Sequence, residues 1–415
     1  MSARPSRAGV TARSSPAGVT APRGFQAGAA RAGIKTPAAR RDDLALVVSD
    51  VPAVAAGVFT TNLVQAAPVV WSRQVVRRGR RVHAVLLNSG NANACTGKAG
   101  DQATRASAAA VAASLGCAPH EVLVASTGVI GVPFPTTRLT AAVPALTRAV
   151  RADARGARAA ANAILTTDTR IKQAVVQVRA NGKTYTVGGM AKGAGMIHPQ
   201  MATMLAVLTT DAPLRGAQAQ KLLRNASDET FNTLTVDGDT STNDCVLLLA
   251  NGAAGGRIAS GSAAETKLAA AMRQVCGELA EAVAADGEGA TKVLVIQVRG
   301  ARTAHDARQV ARTIAASNLV KTAVHGGDPN WGRVLAAAGR AGVKLDPAAL
   351  ELSIGGHWVA RKGAAHPAGE RGAARHLRGK RVEIVLYLGA GAASGTALGS
   401  DLSAGYIRIN AHYRT

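Results

Sequence analysis

The sequence predicts an α/β protein, a layered sandwich of mixed sheets and helices. Short apolar runs of strand length alternate with longer segments of helical period. Glycines and polar turns separate the runs. Hydrophobic residues make up 47% of the 415 residues but aromatics only 3%, so alanine, valine and leucine must fill the core.

In chain order, "LALVVS" (44–49) and "VHAVLLN" (82–88) are apolar runs ending in polar turns, as buried strands do. "SGNANACTG" reads as a loop. "DQATRASAAAVAASLG" reads as a helix with Asp101 as its cap and Gly116 as its stop. "EVLVAS" is a strand closing on "TGVIG". "QAVVQVRANGKTYTVGG" is a hairpin with Asn181-Gly182 at its turn. "MLAVLTTD" is the next strand, followed by a helix from about Leu214 to Asn225, and then by the strand "CVLLLANG". Leu268, Met272, Val275, Leu279 and Val283 share one helical face, with Gly287 just past its end. "KVLVIQVRG" follows, and the pattern continues to "RVEIVLYLG" and "YIRIN". Pro and Gly accumulate over 355–375, which reads as an exposed loop. A domain change is expected after about residue 215, and no fixed-period repeat is present.

Length alone suggests two or three domains. No apolar run approaches the ~18 residues that span a bilayer, which predicts a soluble protein without a membrane partner. Cys95, Cys117, Cys245 and Cys276 form no CxxC pair, so neither a disulfide framework nor a zinc site is expected, and buried free thiols in the cytoplasm are. The net charge is +24, from 49 Lys+Arg against 25 Asp+Glu. Charge alone would suggest nucleic acid. The arginines are dispersed, however, and base-stacking aromatics are scarce, so no nucleic-acid partner is expected. A basic solvated surface, or a preference for acidic small molecules, fits better. The first 41 residues hold no acid and several Arg, Ser, Pro and Gly, as transit peptides do, but the whole chain shares the bias. A disordered basic extension is expected over 1–18.

Familiar chemical motifs fail. "GGMAKGAGM" lacks P-loop spacing, and there is no HExxH, no metal-ligand cluster and no GxSxG elbow. What remains is threonine and glycine chemistry. "ASTGVIG" (125–131) closes a strand on a tight turn whose N–H groups could hold an oxyanion, although an ordinary turn is the commoner structure. "LTTDTR" (165–170) and "VDGDTSTND" (236–244) place hydroxyls and carboxylates at strand ends, where turn capping is the bland alternative. "DGEGATK" sets Glu288 between two glycines.

In this order the stretches resemble the glutamate N-acetyltransferase (ornithine acetyltransferase) family of arginine biosynthesis. "GGMAKGAGMIHPQMATML", "VKTAVHGGDPNWGR" and the terminal "SDLSAGYIRINAHYRT" carry the resemblance as well, and it covers nearly the whole chain from Gly24. Departures are few: Ala194 stands where many members have serine, and Gln200 where many have asparagine.

The resemblance implies self-cleavage between Ala202 and Thr203 in "MATML", giving a 19–202 chain and a 203–415 chain. Thr203 would be the nucleophile. The resemblance maps the oxyanion hole onto Thr127 and Gly128. It maps substrate contacts onto Thr166, Lys192, Thr203, Glu288, Asn410 and Thr415. The implied reaction moves acetyl from N-acetylornithine to glutamate by double displacement, with no cofactor and no metal. Acetyl-CoA is a further donor for some members. The implied fold is similar to that of threonine-nucleophile self-processing aminopeptidases, and the implied assembly has two alpha and two beta chains. A self-processing amidase or aminopeptidase using the same threonine is the alternative.

Overall fold

The computed structural model describes residues 10–12, 16–198 and 204–412. The first part of the chain runs β1 (Val10–Ala12), β2 (Phe25–Ala30), β3 (Leu44–Phe59), α1 (Ala67–Arg77), β4 (Val82–Asn88), α2 (Gly97–Leu115) and β5 (Val122–Ser126). Helices α3 (Thr136–Arg148) and α4 (Ala154–Ala163) lead into the hairpin β6 (Lys172–Ala180) and β7 (Lys183–Lys192). Then come β8 (Leu205–Thr210), α5 (Gly216–Glu229), β9 (Leu234–Thr235), β10 (Cys245–Ala250), α6 (Ala263–Ala284) and β11 (Val293–Ala301). The last part is α7 (Ala304–Ala315), α8 (Asn318–Gly326), α9 (Trp331–Gly339), β12 (Glu351–Ile354), β13 (His357–Arg361), β14 (Ala364–Ala365), α10 (Glu370–Leu377), β15 (Arg381–Tyr387), β16 (Ala393–Ser400) and α11 (Ala404–His412).

The strands form two mixed sheets, as the alternating pattern predicts. One runs β1-β6-β7-β8-β10-β3-β4-β5, with β2 pairing β3 to one side. The other runs β14-β13-β12-β15-β11-β16-β9. Helices α5 and α6 lie between them: one core joins their apolar faces to residues of β6, β7, β8 and β10 and to Val293 and Val295 of β11. Leu268, Met272, Val275, Leu279 and Val283 of α6 are all fully buried there. Helix α4 covers the other face of the first sheet, and α7 the other face of the second. Because β8 and β10 are buried on both faces, they read as near-continuous apolar runs, broken only by the two threonines that end β8.

Several elements differ from expectation. Strand β3 continues past Ser49 to Phe59. Its register with β4 shifts between Val48 and Ala53, and its second half turns to pair with β10, so Pro52 sits at the irregularity. Helix α2 starts at Gly97 with Thr96 as its N-cap, five residues before the expected cap Asp101, and it ends on left-handed Gly116 as expected. "YIRIN" lies within helix α11, not in an extended run. The Pro/Gly-rich 355–375 stretch is a hairpin plus helix α10: Gly355 and Gly356 both have positive φ and form the two-residue turn between β12 and β13. No sheet boundary falls at residue 215, because β8 and β10 belong to the first sheet. Within the extension expected to be disordered, Val10–Ala12 pairs with β6 and Gly18 is buried. Cys245 and Cys276 are buried, but Cys95 is exposed and Cys117 partly so.

Candidate active site

Six residues singled out by the family motifs line one cavity of about 330 Å3: Thr127, Gly128, Thr166, Lys192, Glu288 and Asn410. Their sequence separation is large, and the fold removes it. Ala202, Thr203 and Thr415, together with Gln200, lie outside the described residues.

Thr127 and Gly128 follow β5. The Thr127 N–H donates to Asn88 O at 3.0 Å, and Ser126 Oγ donates to Asn88 Oδ1 at 2.6 Å, so β4 and β5 fix the start of the turn. Asn243 ties it to the second half of the chain by donating from Nδ2 to Ser126 O at 2.9 Å. Gly128 has φ +132°, and a Cβ there would lie 2.3 Å from the Gly90 carbonyl carbon, so only glycine permits this approach.

Lys192 ends β7 and is 3% exposed. Its Nζ donates to Thr166 Oγ1 at 2.6 Å and lies 3.4 Å from Thr127 Oγ1 and 3.6 Å from Asp168 Oδ2. Asp168 also accepts from Lys172 Nζ at 2.7 Å and from the Gly193 N–H at 2.6 Å. Lys172 in turn reaches Asp286 at 2.5 Å. Burial works against charge on Asp168, but Lys192 and Lys172 outweigh it and hold the carboxyl below its usual range. The buried cation is therefore aimed at the two threonines by a paired, hydrogen-bonded network.

Glu288 is 8% exposed, unlike the solvated loop acid that its glycine-flanked position suggests. Its Oε2 accepts from Asn410 Nδ2 at 2.8 Å, which joins helix α11 to the cavity. Gly195 makes room for it, since a Cβ there would lie 2.4 Å from Oε2. The cavity thus presents a buried cation and a buried anion, the complement of an amino acid's carboxylate and ammonium.

Sequence reasoning missed Asp237, Met196 and Tyr406, which also line the cavity. Asp237 accepts from the Met196 N–H at 2.5 Å, the Ile197 N–H at 2.7 Å and Tyr406 Oη at 3.3 Å. Met196 has φ +56°, an uncommon conformation for a side-chain-bearing residue. Burial raises the Asp237 carboxyl, and these N–H bonds only partly oppose it. Asp244 is fully buried and accepts from the Met204 N–H at 2.8 Å. Its second oxygen has no partner among the described residues, and burial pushes its carboxyl well up. Both aspartates sit in the quoted "VDGDTSTND", where turn capping hides their longer reach. Among the described residues, no group of three or more His, Cys, Asp or Glu could hold a metal ion, and no helix is long and apolar enough to cross a membrane.

The sequence profile of the ArgJ family matches residues 26–415. The chain belongs to the ArgJ family. It is 50% identical to the arginine biosynthesis bifunctional protein ArgJ of Symbiobacterium thermophilum over 95% of this chain and 98% of that protein. It is 48% identical to the protein of that name from Gloeobacter violaceus, over 95% of this chain and 97% of that one. A solved ornithine acetyltransferase of Mycobacterium tuberculosis, complexed with ornithine, is 46% identical, covering 46% of this chain and 98% of that chain with a TM-score of 0.42. The ArgJ match agrees with the family that the motifs indicated.

Proposed function

We propose that this chain transfers acetyl from N2-acetyl-L-ornithine to L-glutamate in arginine biosynthesis, through an acetyl ester on Thr203. The observation that carries the reading is convergence: residues 127, 128, 166, 192, 288 and 410, assigned by separate motifs of an ArgJ chain, line one cavity.

Maturation begins when the Thr203 hydroxyl attacks the Ala202 carbonyl, exchanging amide for ester, and water then releases the two chains. The freed α-amine of Thr203, with an ordinary pKa of about 7.7–8.0, is an attached general base near neutral pH. The Thr203 hydroxyl attacks the acetyl carbonyl of N-acetylornithine and its proton passes to that amine. Thr127 Oγ–H and the Gly128 N–H donate to the resulting oxyanion. Collapse expels ornithine, whose amine takes the proton. Glutamate's amine then attacks the ester and regenerates the hydroxyl. Lys192 suits a substrate carboxylate and Glu288 a substrate ammonium, with Thr166, Asn410 and Thr415 completing the contacts. One amide becomes another, so the transfer requires no cofactor. The second activity in the relatives' shared name is read as acetylation of glutamate from acetyl-CoA. The enzyme works in the cytoplasm as two alpha and two beta chains.

The test is one assay: purified protein with N-acetylornithine and glutamate, then with acetyl-CoA and glutamate, products identified by mass. N-acetylglutamate and ornithine are expected in equal amounts from the first pair, and N-acetylglutamate and CoA from the second. Acetate in their place would overturn transfer in favour of hydrolysis. Intact mass should show two chains, the second beginning at Thr203, and Thr203→Ala should stay uncut and inactive. An active, wholly uncut wild-type protein would sink the threonine mechanism.

A further inference from the structure

A second concavity, of about 750 Å3, opens between the C-terminal end of α1 and the N-terminal end of α5, and shares no lining residue with the first. Its floor is apolar, built from Val54, Ala55 and Val58 of β3 with Val76 and Leu214. Gln220 closes one side by pairing its amide with the Gly57 backbone at 2.9 and 3.1 Å.

Among the described residues five arginines line it, Arg73, Arg77, Arg81, Arg215 and Arg224, and no aspartate or glutamate does. Guanidiniums gathered without a carboxylate repel one another. Arg73 registers this: burial, then neighbouring Arg77, lower it from its ordinary value. The fold uses two of the five. Arg73 donates to Gln65 Oε1 at 2.6 Å and Thr60 O at 3.0 Å, and Arg81 donates to Pro52 O at 3.1 Å. Arg77, Arg215 and Arg224 make no ion pair among the described residues. The first turn of α5 also lines the cavity through Gly216 and Ala217 and carries no acid, which adds the positive end of a 14-residue helix.

We propose that this cavity binds a phosphate-bearing anion of nucleotide size. Three uncommitted guanidiniums call for a multiply charged ligand, and their planar forks match phosphate oxygens two bonds at a time. The valine-lined floor takes an apolar or planar body, and the volume falls in the range of small-molecule sites. A single amino acid would leave most of it empty.

The test is calorimetric titration of the whole protein with ATP, tripolyphosphate and L-glutamate in separate arms. ATP should bind one to one and tripolyphosphate more weakly, while glutamate, whose place is the first cavity, should not compete with ATP. The double variant Arg77→Glu/Arg224→Glu should bind ATP at least about a hundredfold more weakly, from two lost charge-assisted contacts. The control Arg371→Glu/Arg378→Glu, with the same change in charge at α10, should bind as wild type does. Acetyl transfer unchanged in both variants would show that they fold. If the glutamate variant does not fold, Arg77→Gln/Arg224→Gln should still weaken binding at least about tenfold. Non-saturating ATP binding, or equal weakening in both double variants, would reduce the effect to the general attraction of a basic chain and overturn the site. Tripolyphosphate binding as tightly as ATP would overturn the nucleotide-sized reading.

Discussion

At the scale of single residues, the buried charges define the site. Asp168 holds Lys192 and Lys172 together, with all three side chains buried from solvent. Asp168→Asn leaves those cations short of a partner, and about 3–5 kcal/mol of stability should be lost at pH 7. The folded carboxyl sits below its ordinary value of about 3.9. As pH falls, the unfolded chain therefore takes up the proton first. The contribution of Asp168 is complete above about pH 4 and is lost as acidity moves toward the folded value. Urea unfolding of the variant and its parent, both in an uncut Thr203→Ala background, should show a gap at pH 7 that narrows at pH 3. An equal gap at both would mean that the charge pairing is not its source. Glu288→Gln keeps the shape and one acceptor for Asn410 but removes the charge. The KM for N-acetylornithine should rise, by about tenfold for one lost charged contact, with the melting temperature little changed. An unfolded variant would make Glu288 structural.

At the scale of elements, Asp237 joins three parts: the turn after β7, the segment after β9, and α11. Asp237→Asn must turn an NH2 toward one of two backbone N–H groups, so donor meets donor in a buried place. Self-cleavage should slow at least about tenfold by a time course of intact mass. Tyr406→Phe, which removes only the third contact, should cleave as wild type does. Wild-type cleavage in Asp237→Asn would show that the turn needs no clamp. The elements also explain what the sequence disclosed. Doubly buried β8 and β10 could be read because every residue in them is shielded, and Asn181-Gly182 because both φ values are positive. Helix α11 hid because "YIRIN" alternates like a strand, while the helix leaves Ile407 67% exposed. The Gly355-Gly356 hairpin carried a readable signal, two glycines between alternating runs, which the surrounding Pro and Gly masked. The motifs marked six cavity residues because the stretches that carry the family resemblance contain them. Asp168 and Asp237 act at a distance in sequence, through backbone N–H groups and lysines that no local pattern names.

For the whole molecule, the first sheet is interleaved. Strands β8 and β10 come from after the proposed cut, yet they lie between β7 and β3, which come from before it. β8 pairs with β7 along six residues, and β10 pairs with β3 along six. Cutting one peptide bond leaves these ladders intact. The two chains should therefore co-elute as a single species in native gel filtration and separate only in denaturant. Two native peaks after cleavage would contradict the sheet order.

That interleaving also bears on how the molecule is made. While the ribosome has delivered only the first half, β7 and β3 each present a row of unpaired N–H and C=O groups, a template for any passing strand. The gap between them is two strands wide and can be filled correctly only by sequence not yet translated. A self-cut that came early would release a half with open edges and no tethered partner. With the proposed scissile bond just ahead of β8 in sequence, the cut would depend on the strand that closes the gap. Production of the halves as separate polypeptides would remove the tether, and open edges would then compete with correct pairing.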